Sequence, residues 1–184
     1  MNSIDKLAEL FKSFPGIGPR QAKRFVYYLL SRNGGYAEEL TRAIQNLKSE
    51  IKQCNECQRF FHSITHNSPR CSTCADNTRD SSLLMLVPRD VDFEAVEKSG
   101  AYNGRYFVLG GTIPILEKEP EKRVRLRELE EKLRNQDIKE VILAMNANQD
   151  GEHTTEFIKE RFKEVHLNFS ILGRGLSTGA ELEY

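Results

Sequence analysis

The chain has 184 residues, of which 39% are hydrophobic and 29% are charged, and its 27 basic side chains balance 27 acidic ones. This length holds one good hydrophobic core and a smaller module, and no apolar run is long enough to cross a bilayer. Because residues 1–10 form an amphipathic run and not the apolar core of a signal sequence, we expect a cytoplasmic protein without membrane contact.

The balanced total hides a difference between the two ends of the chain. Residues 1–53 contain nine Lys or Arg and five Asp or Glu, a net charge of +4, whereas residues 81–184 contain fifteen basic and nineteen acidic side chains, a net charge of −4. A polyanionic partner is therefore expected to meet the N-terminal part first.

Three helices are predicted in the N-terminal part. The first follows Ser3 as its N-cap and carries Leu7, Leu10, Phe11 and Phe14 at helical spacing. The second begins at Pro19, ends near Gly34-Gly35 and buries one stripe: Ala22, Phe25, Val26, Leu29 and Leu30. The third covers residues 36–52 with one apolar face: Leu40, Ile44, Leu47 and Ile51. Together they predict a small three-helix cap.

Between the first two helices lies a G-x-G hairpin, Gly16 to Gly18. Its glycines let backbone N–H groups approach a phosphate, and the next helix adds a favourable dipole at its N-terminus. The stretch from Lys12 to Arg32 contains no acidic residue and five basic ones: Lys12, Arg20, Lys23, Arg24 and Arg32. This pattern favours DNA-backbone binding without sequence preference; a solvated helical hairpin with a glycine turn is the alternative.

The four cysteines form two C-x-x-C pairs, Cys54 with Cys57 and Cys71 with Cys74, separated by thirteen residues. Two such pairs can close a tetrahedral sulfur shell around one Zn²⁺ ion, and a shell of four thiolates leaves no position for water. A structural zinc is therefore expected. The segment is too small for its own apolar core, so it should fold only with the metal.

Other interpretations of the cysteine segment carry less weight. The alternatives are two disulfide bonds or four free thiols; a reducing compartment and the paired C-x-x-C spacing favour metal ligation over both. His62 and His66 lie between the pairs and could replace a cysteine, but four thiolates suffice, so both are predicted to be exposed loop residues.

The C-terminal part alternates strand-like and helical patterns. Apolar strand-like runs occupy residues 83–87, 105–109, 140–145 and 166–172, and helical patterns occupy residues 121–134 and 153–162. This alternation predicts an α/β domain with a mostly parallel sheet. The charged run at residues 117–134 alternates in sign at helical spacing and is predicted to be a solvated helix face.

The order of these motifs closely resembles the RecR recombination-mediator family over essentially the whole chain. The resemblance is carried by five motifs besides the cysteines: Phe14-Pro15-Gly16-Ile17-Gly18-Pro19-Arg20, Val108-Leu109-Gly110-Gly111, Asp150-Gly151-Glu152, Gly173-Arg174-Gly175 and Leu182-Glu183-Tyr184. It implies a helix-hairpin-helix module at residues 1–53, a four-cysteine zinc finger at 54–80 and a Toprim-like α/β domain at 81–184, a multi-module α+β protein.

The family resemblance also implies a function and partners. RecR proteins act with RecO and RecF to bring RecA onto single-stranded DNA in bacterial recombinational repair, and they assemble into dimers or ring-like tetramers. Matching positions are the zinc ligands Cys54, Cys57, Cys71 and Cys74, the hairpin glycines Gly16 and Gly18, and the DNA-contacting residues Arg20, Lys23 and Arg24. Lys12 joins the predicted DNA-binding residues from its place in the basic run. Single- and double-stranded DNA are the expected ligands. Because Tyr184 is the last residue, the C-terminus is shorter than is usual in the family.

The Toprim correspondence departs from the family's active enzymes. Such enzymes hold Mg²⁺ with a glutamate after the first strand and a later D-x-D pair. Here the first strand ends at Val87-Pro88 and the later motif reads Asn146-Ala147-Asn148. Only Asp150 and Glu152 remain, and they are predicted to cap a helix beginning at His153, with weak Mg²⁺ or partner binding as the alternative.

These substitutions favour a non-enzymatic mediator with no catalytic residues. The alternative is a zinc-ribbon Toprim enzyme, either a Mg²⁺-dependent nuclease or a primase-like phosphoryl transferase. A protein-binding scaffold is a third possibility, which the acid-free basic run from Lys12 to Arg32 disfavours. The segment Gly173-Arg174-Gly175 with Gly179 is predicted to be a turn, since it lacks a nucleotide-binding lysine.

Overall fold

The structure is a computed structural model that describes residues 1–63, 68–135, 137–165 and 167–173. The chain forms two compact units, Met1–Glu50 and Ile51–Tyr184. His66, the first residue of the strand predicted at 166–172, and the predicted turn beyond Gly173 lie outside the described residues. Among the helices that are described, none has the length and apolar character needed to cross a membrane.

The first unit is helical, and its first two helices pack on each other. Its elements are α1 (Ser3–Lys12), α2 (Pro19–Ser31) and α3 (Gly34–Glu50). Ala8 of α1 lies against Ala22 and Val26 of α2 in a small buried cluster. The predicted N-cap Ser3 is wrong: Asn2 caps α1, because its side-chain oxygen accepts a hydrogen bond from the Asp5 amide at 2.9 Å.

The boundary between α2 and α3 also differs from its prediction. Gly34 and Gly35 open α3 and do not end α2, which stops at Ser31. The Asn33 side chain accepts a hydrogen bond from the Tyr36 amide at 3.3 Å. Short polar side chains commonly cap a helix N-terminus in this way.

The apolar face of α3 is exposed. None of the residues of α3 is buried, and Ile44 and Leu47 are 58% and 60% exposed. The predicted three-helix cap is therefore wrong within this unit, because α3 does not close over a core. The predicted burial of Leu30 on α2 is wrong as well, since that side chain is 65% exposed.

The second unit contains a small hairpin and a four-stranded parallel sheet. Its strands are β1 (Ile51–Gln53), β2 (Phe60–His62), β3 (Asp80–Val87), β4 (Gly104–Val108), β5 (Glu140–Leu143) and β6 (Asn168–Ile171), and its helices are α4 (Ser72–Ala75), α5 (Asp90–Ser99), α6 (Pro120–Arg123), α7 (Leu126–Asn135) and α8 (Gln149–Arg161). β1 and β2 pair antiparallel, and the sheet has the order β4-β3-β5-β6 with all neighbours parallel. The predicted α/β architecture with a parallel sheet is confirmed.

Both faces of the sheet are covered, as parallel sheets require. Because side chains alternate along a strand, Leu84 and Leu86 of β3 join the larger core with residues of α7 and α8. Met85 and Val87 point to the opposite face and pack with Phe93 of α5. Each of these four strand side chains is at most 3% exposed.

Several predicted helix boundaries in this unit are wrong. The single helix predicted at 121–134 is two helices, α6 and α7, because the Arg125 amide leaves the helical pattern and donates to the Leu109 carbonyl at 2.9 Å. α8 begins at Gln149 and not at His153. Helix α5 was not predicted. The sequence signals for its two ends are Asp90 and Asp92 in its first turn and Gly100, which adopts a left-handed conformation after its last residue.

The cysteine segment lies on the free edge of β4. The Val108 amide donates to the Cys57 carbonyl at 2.8 Å, and the Phe60 amide donates to Oδ1 of Asp90 at 2.7 Å. Contacts of this kind cover a sheet edge that would otherwise expose unpaired backbone groups. The exact boundaries predicted for the three modules stay predictions.

Candidate metal centre and nucleic-acid interface

The four cysteine side chains converge, so that their sulfur atoms form one cluster. Cys54, Cys57, Cys71 and Cys74 are each at most 2% exposed, and their Sγ atoms all lie within 4.8 Å of one another. Tetrahedral coordination with metal–sulfur bonds of about 2.3 Å separates neighbouring sulfurs by about 3.8 Å. The Sγ atoms of Cys57 and Cys71 are 3.6 Å apart. All four cysteines are free thiols, so the disulfide interpretation is wrong.

Local hydrogen bonds shape the loops that present these sulfurs. After Cys54 the chain turns so that the Gln58 amide donates to the Cys54 carbonyl at 2.9 Å, and Gln58 itself adopts a left-handed φ of 63°. Cys71 precedes the short helix α4, and its amide donates to Sγ of Cys54 at 3.3 Å. An amide directed at a sulfur stabilises the thiolate form that binds metals.

The protonation of the cluster also favours a cation. Hydrogen bonds from the thiols of Cys57, Cys71 and Cys74, in that order, hold the pKa of Cys54 well below its ordinary value. Hydrogen bonds within the cluster raise the pKa of Cys57, and the largest contribution comes from its hydrogen bond with Cys54. The four sulfurs are close enough to share protons, and one divalent cation could replace those protons.

The cluster thus has the geometry of a metal site, and its candidate ligands are cysteines alone. Within the described residues, these four form the group of three or more His, Cys, Asp or Glu side chains that could hold an ion. His62 does not join them; it is exposed at the end of β2, on a strand and not in the predicted loop. Phe61 packs against the sulfurs and shields them from water.

Two arginines brace the second pair of cysteines. Nη1 of Arg105 on β4 donates to the Cys74 carbonyl at 2.7 Å and to the Thr73 carbonyl at 3.2 Å. Nη2 of Arg70 donates to the same Cys74 carbonyl at 2.8 Å, and its Nε lies 3.2 Å from Oε1 of Glu56. The backbone of this cysteine pair is therefore attached to the sheet.

Helix α7 of the same unit carries a buried lysine. Lys132 on α7 is 7% exposed. Burial lowers the pKa of its ammonium group, while the negative charge of Cys74 and then that of Glu56 raise it. The charge pattern predicts a solvated position for this residue, and that prediction is wrong; no sequence signal indicated the burial.

The hairpin presents an open helix N-terminus. Gly16 has a left-handed φ of 78°, which favours glycine, and Gly18 is the N-cap of α2. Among the described residues no side chain caps this end, Pro19 has no N–H to satisfy, and the first turn contains no acidic residue. A Cβ at either glycine would meet nothing within 4 Å. The amides at the start of α2 are therefore accessible to an anion.

The basic residues predicted around the hairpin are on its surface. Arg20, Lys23 and Arg24 are exposed, and Nη1 of Arg24 donates to Oε1 of Gln21 at 3.2 Å. Lys12 is less available for a phosphate, because its Nζ lies 3.2 Å from a carboxylate oxygen of Glu9. Their role in DNA binding stays a prediction.

Where the family resemblance predicts the carboxylates of a Mg²⁺ site, at the carboxyl ends of β3 and β5, the chain carries other residues. Pro88 follows β3, and Asn146 and Asn148 follow β5. The Asn148 side chain accepts a hydrogen bond from the Gly151 amide at 2.8 Å and so caps α8. Gly151 is required here, because a Cβ would overlap the Asn146 carbonyl.

Asp150 and Glu152 belong to the first turn of α8. The prediction that they cap a helix starting at His153 is wrong, since Asn148 is the cap and α8 has already begun at Gln149. Carboxylates in a first turn interact favourably with the helix dipole. Their burial differs: Glu152 is exposed and Asp150 is half-buried.

Comparison with known proteins places these sites in one family. The family pattern described as RecR, helix-hairpin-helix, matches residues 4–48, and the Toprim domain pattern matches residues 82–173. Recombination protein RecR of Bifidobacterium adolescentis is 35% identical over 183 residues, which are 99% of this chain and 88% of that protein. The chain belongs to the RecR family.

Two further RecR proteins show the same similarity. RecR of Staphylococcus aureus strain Newman and RecR of Staphylococcus saprophyticus are each 35% identical over 181 residues, covering 98% of this chain and 89% of those proteins. The predicted RecR resemblance is confirmed, with its helix-hairpin-helix, four-cysteine cluster and Toprim domain.

Proposed function

We propose that this RecR-family chain is a DNA-binding recombination mediator that uses its hairpin to hold the phosphate backbone. The supporting observation is the open N-terminus of α2, with exposed Arg20, Lys23 and Arg24 around it and no acid in its first turn. Amides and cations of this kind bind phosphates without reading bases. Single- and double-stranded DNA are both expected ligands.

Membership of the family supports the biological role. We infer that the chain acts with RecO and RecF to load RecA onto single-stranded DNA in recombinational repair. RecR relatives are bacterial, which fits a cytoplasmic, nucleoid-associated protein.

We further infer that the protein is not an enzyme. Phosphoryl transfer on a Toprim domain needs several carboxylates to hold Mg²⁺. At this sheet edge Pro88, Asn146 and Asn148 stand where such carboxylates would be needed, and the Asn148 side chain is engaged in capping α8. Two carboxylates in one helical turn are too few for a two-metal site.

The four-cysteine cluster is proposed to bind one structural Zn²⁺ per chain. Cys54, Cys57, Cys71 and Cys74 would fill all four positions of a tetrahedral ion and leave none for a reacting water. The metal would supply folding energy to a segment whose own core is little more than Phe61 and the sulfurs. Metal analysis of protein purified without chelator should find one zinc per chain.

A homo-oligomer, either a dimer or a ring-like tetramer, is the proposed working form. The exposed apolar side chains of the first unit support it, since Leu30, Ile44 and Leu47 are each at least 58% exposed. Apolar side chains grouped on a surface commonly mark an interface between chains. Light scattering should report a multimer that Ile44→Glu with Leu47→Glu dissociates.

The DNA site can be tested by replacing Lys23 and Arg24 together with alanine. Each neutralised phosphate releases counterions, so losing up to two contacts should weaken binding to every sequence alike and flatten the logarithmic salt slope by about two units. Both side chains are exposed, so the free energy of unfolding should change by less than about 1 kcal/mol.

A matched control removes the same charge elsewhere in the same unit. Arg42 and Lys48 on α3 are exposed, and replacing both with alanine changes the net charge equally. If the two double variants lose equal affinity and salt slope, binding depends on overall charge and the hairpin proposal is wrong. The proposal requires a larger loss from Lys23 and Arg24.

The enzyme alternative rests on Asp150 and Glu152, which lie together in the first turn of α8 at the carboxyl edge of the sheet. Cleavage and primer synthesis should be assayed with Mg²⁺ and Mn²⁺ on the DNA used for binding. We expect no turnover. Turnover that Glu152→Gln abolishes would establish the enzyme instead.

A further inference from the structure

Helix α2 carries aromatic side chains on its exposed surface. Tyr27 is 57% exposed and Tyr28 is 45% exposed, and together with Phe25 they line a shallow groove of about 530 Å³ on this helix. Aromatic rings have large apolar faces that are usually covered, and tyrosines are enriched where a protein meets a ligand or partner. Two neighbouring exposed rings are therefore a candidate binding surface.

The two tyrosines differ in what already contacts their rings. The guanidinium carbon of Arg32 lies 4.5 Å from the centre of the Tyr28 ring, and Nη2 of Arg32 donates to the Tyr28 hydroxyl at 2.7 Å. Tyr36 packs against the Tyr28 ring in a T-shaped arrangement, with the ring centres 6.1 Å apart. Within the described part of the chain, the Tyr27 side chain has no ring, cation or hydrogen-bond partner. Tyr27 is therefore the ring available to a planar ligand.

The open ring lies on the same side of α2 as the cations proposed to bind phosphates. Tyr27 follows Lys23 by four residues and Arg24 by three, and these two follow Arg20 by three and four residues. Residues at such spacings are neighbours on one face of a helix. α2 contains no acidic residue. This face is therefore suited to an anionic ligand that also carries planar groups.

Single-stranded nucleic acid has both features, because its phosphates are anionic and its unpaired bases expose planar faces. In a duplex the bases stack on one another, and the grooves present only their edges. We propose that Tyr27 is a stacking platform for an unpaired base, so that α2 binds single-stranded DNA in preference to a duplex. The inference rests on the phosphate site proposed for the hairpin, and it names the form of DNA that this site selects.

The distance between the phosphate site and the ring suits a single strand. A helix rises 1.5 Å per residue, so Tyr27 lies about 10 Å along the axis from Arg20. At about 3.4 Å per stacked nucleotide, this distance corresponds to about three nucleotides. One short strand can therefore place phosphates at the start of α2 and a base on Tyr27.

The test uses full-length variants and three DNA ligands of equal length. Tyr27→Leu removes the ring and keeps an apolar side chain, whereas Tyr27→Phe keeps the ring and removes the hydroxyl. Tyr28→Leu is the matched control, because it removes an exposed ring of the same helix that Arg32 already covers. Fluorescence anisotropy measures the affinity for a single strand, a duplex and an abasic single strand, which has phosphates but no bases.

We expect Tyr27→Leu to weaken single-strand binding about 5- to 150-fold, the effect of losing one stack between a base and an aromatic ring. Its affinity for the duplex and the abasic strand should stay within about twofold of wild type, and its salt slope should not change, because no phosphate contact is lost. Tyr27→Phe should bind all three ligands as wild type does. Tyr28→Leu should weaken single-strand binding less than about threefold, because its ring is not free to stack.

A photochemical cross-link locates the base without any variant. A single strand that contains 5-iodouracil cross-links on irradiation to an aromatic side chain stacked on that base, and mass spectrometry of the digested protein identifies the residue. We expect the adduct on Tyr27. An adduct on Tyr28 alone, or none on α2, would overturn the inference.

The remaining outcomes separate this inference from the proposed function. Equal losses of single-strand and duplex affinity in Tyr27→Leu would overturn the stacking role, and a smaller multimer in light scattering would then identify Tyr27 as a contact between copies of this chain. A wild-type chain that binds neither form of DNA would overturn the phosphate site and this inference together. Duplex binding that Lys23→Ala with Arg24→Ala weakens, beside an indifferent Tyr27→Leu, overturns this inference alone.

Discussion

The cysteine cluster and the hairpin are built in opposite ways. The cysteines are buried and converge from two separated pairs, so their geometry exists only when the surrounding chain is folded. The hairpin works from the surface, where Gly16 and Gly18 leave open space and the basic side chains face solvent. The metal centre should therefore be inseparable from stability, and the hairpin should be open to change without unfolding.

Removal of the metal should have the largest effect on stability and should affect the cysteine module but not the hairpin. Chelation or Cys57→Ser should remove most of the about 10 to 16 kcal/mol that zinc supplies to such sites, which exceeds the stability of many domains. Hydrogen exchange should then accelerate in residues 51–62 and 68–75 and remain unchanged in α1 and α2. Unchanged exchange in the cysteine module after complete metal loss would contradict the account.

The second-largest loss of stability is expected from a cavity in the core of the second unit. Leu86 on β3 is fully buried, and Leu86→Ala should cost about 2 to 5 kcal/mol of unfolding free energy because it leaves a cavity. Leu116 is 90% exposed, so Leu116→Ala should change that free energy by less than about 0.5 kcal/mol. Denaturant unfolding measures both, and comparable losses from the two would mean that the described core is incorrect.

The smallest expected effect concerns the two hairpin glycines. Gly16→Ala should cost about 1 to 2 kcal/mol, because φ is 78° there and a side chain strains a left-handed conformation. Gly18→Ala should be nearly neutral for folding, since φ is −82° and the added Cβ meets nothing within 4 Å. Thermal melts of the two variants decide this, and equal destabilisation would argue against the described hairpin conformation.

The elements that the sequence predicted correctly are those with local signals. The cysteine spacing indicated convergence, and the apolar runs indicated a parallel sheet, because each depends on residues close together in the chain. Pro19 likewise begins α2 as predicted. The Asn146-Ala147-Asn148 motif was also correctly located after a strand.

The wrong predictions concern helix ends and side-chain burial that depend on tertiary contacts. Val124 and Arg125 interrupt a helical pattern because Arg125 donates hydrogen bonds to the carbonyl groups of Val108, the last residue of β4, and of Leu109, which follows it. The apolar face of α3 predicted burial that the unit itself does not supply. Lys132 was predicted as one more charge on a solvated helix, and only the folded chain shows that it is buried.

The most direct test of the central claim is to locate the phosphate backbone on the protein. Hydrogen exchange of the full-length, zinc-loaded chain should be compared with and without DNA in the presence of Mg²⁺. The account predicts slower exchange in residues 16–24, where the amides at the start of α2 would bind phosphates, and no change in residues 146–152. Protection confined to residues 146–152, with residues 16–24 unaffected, would contradict it.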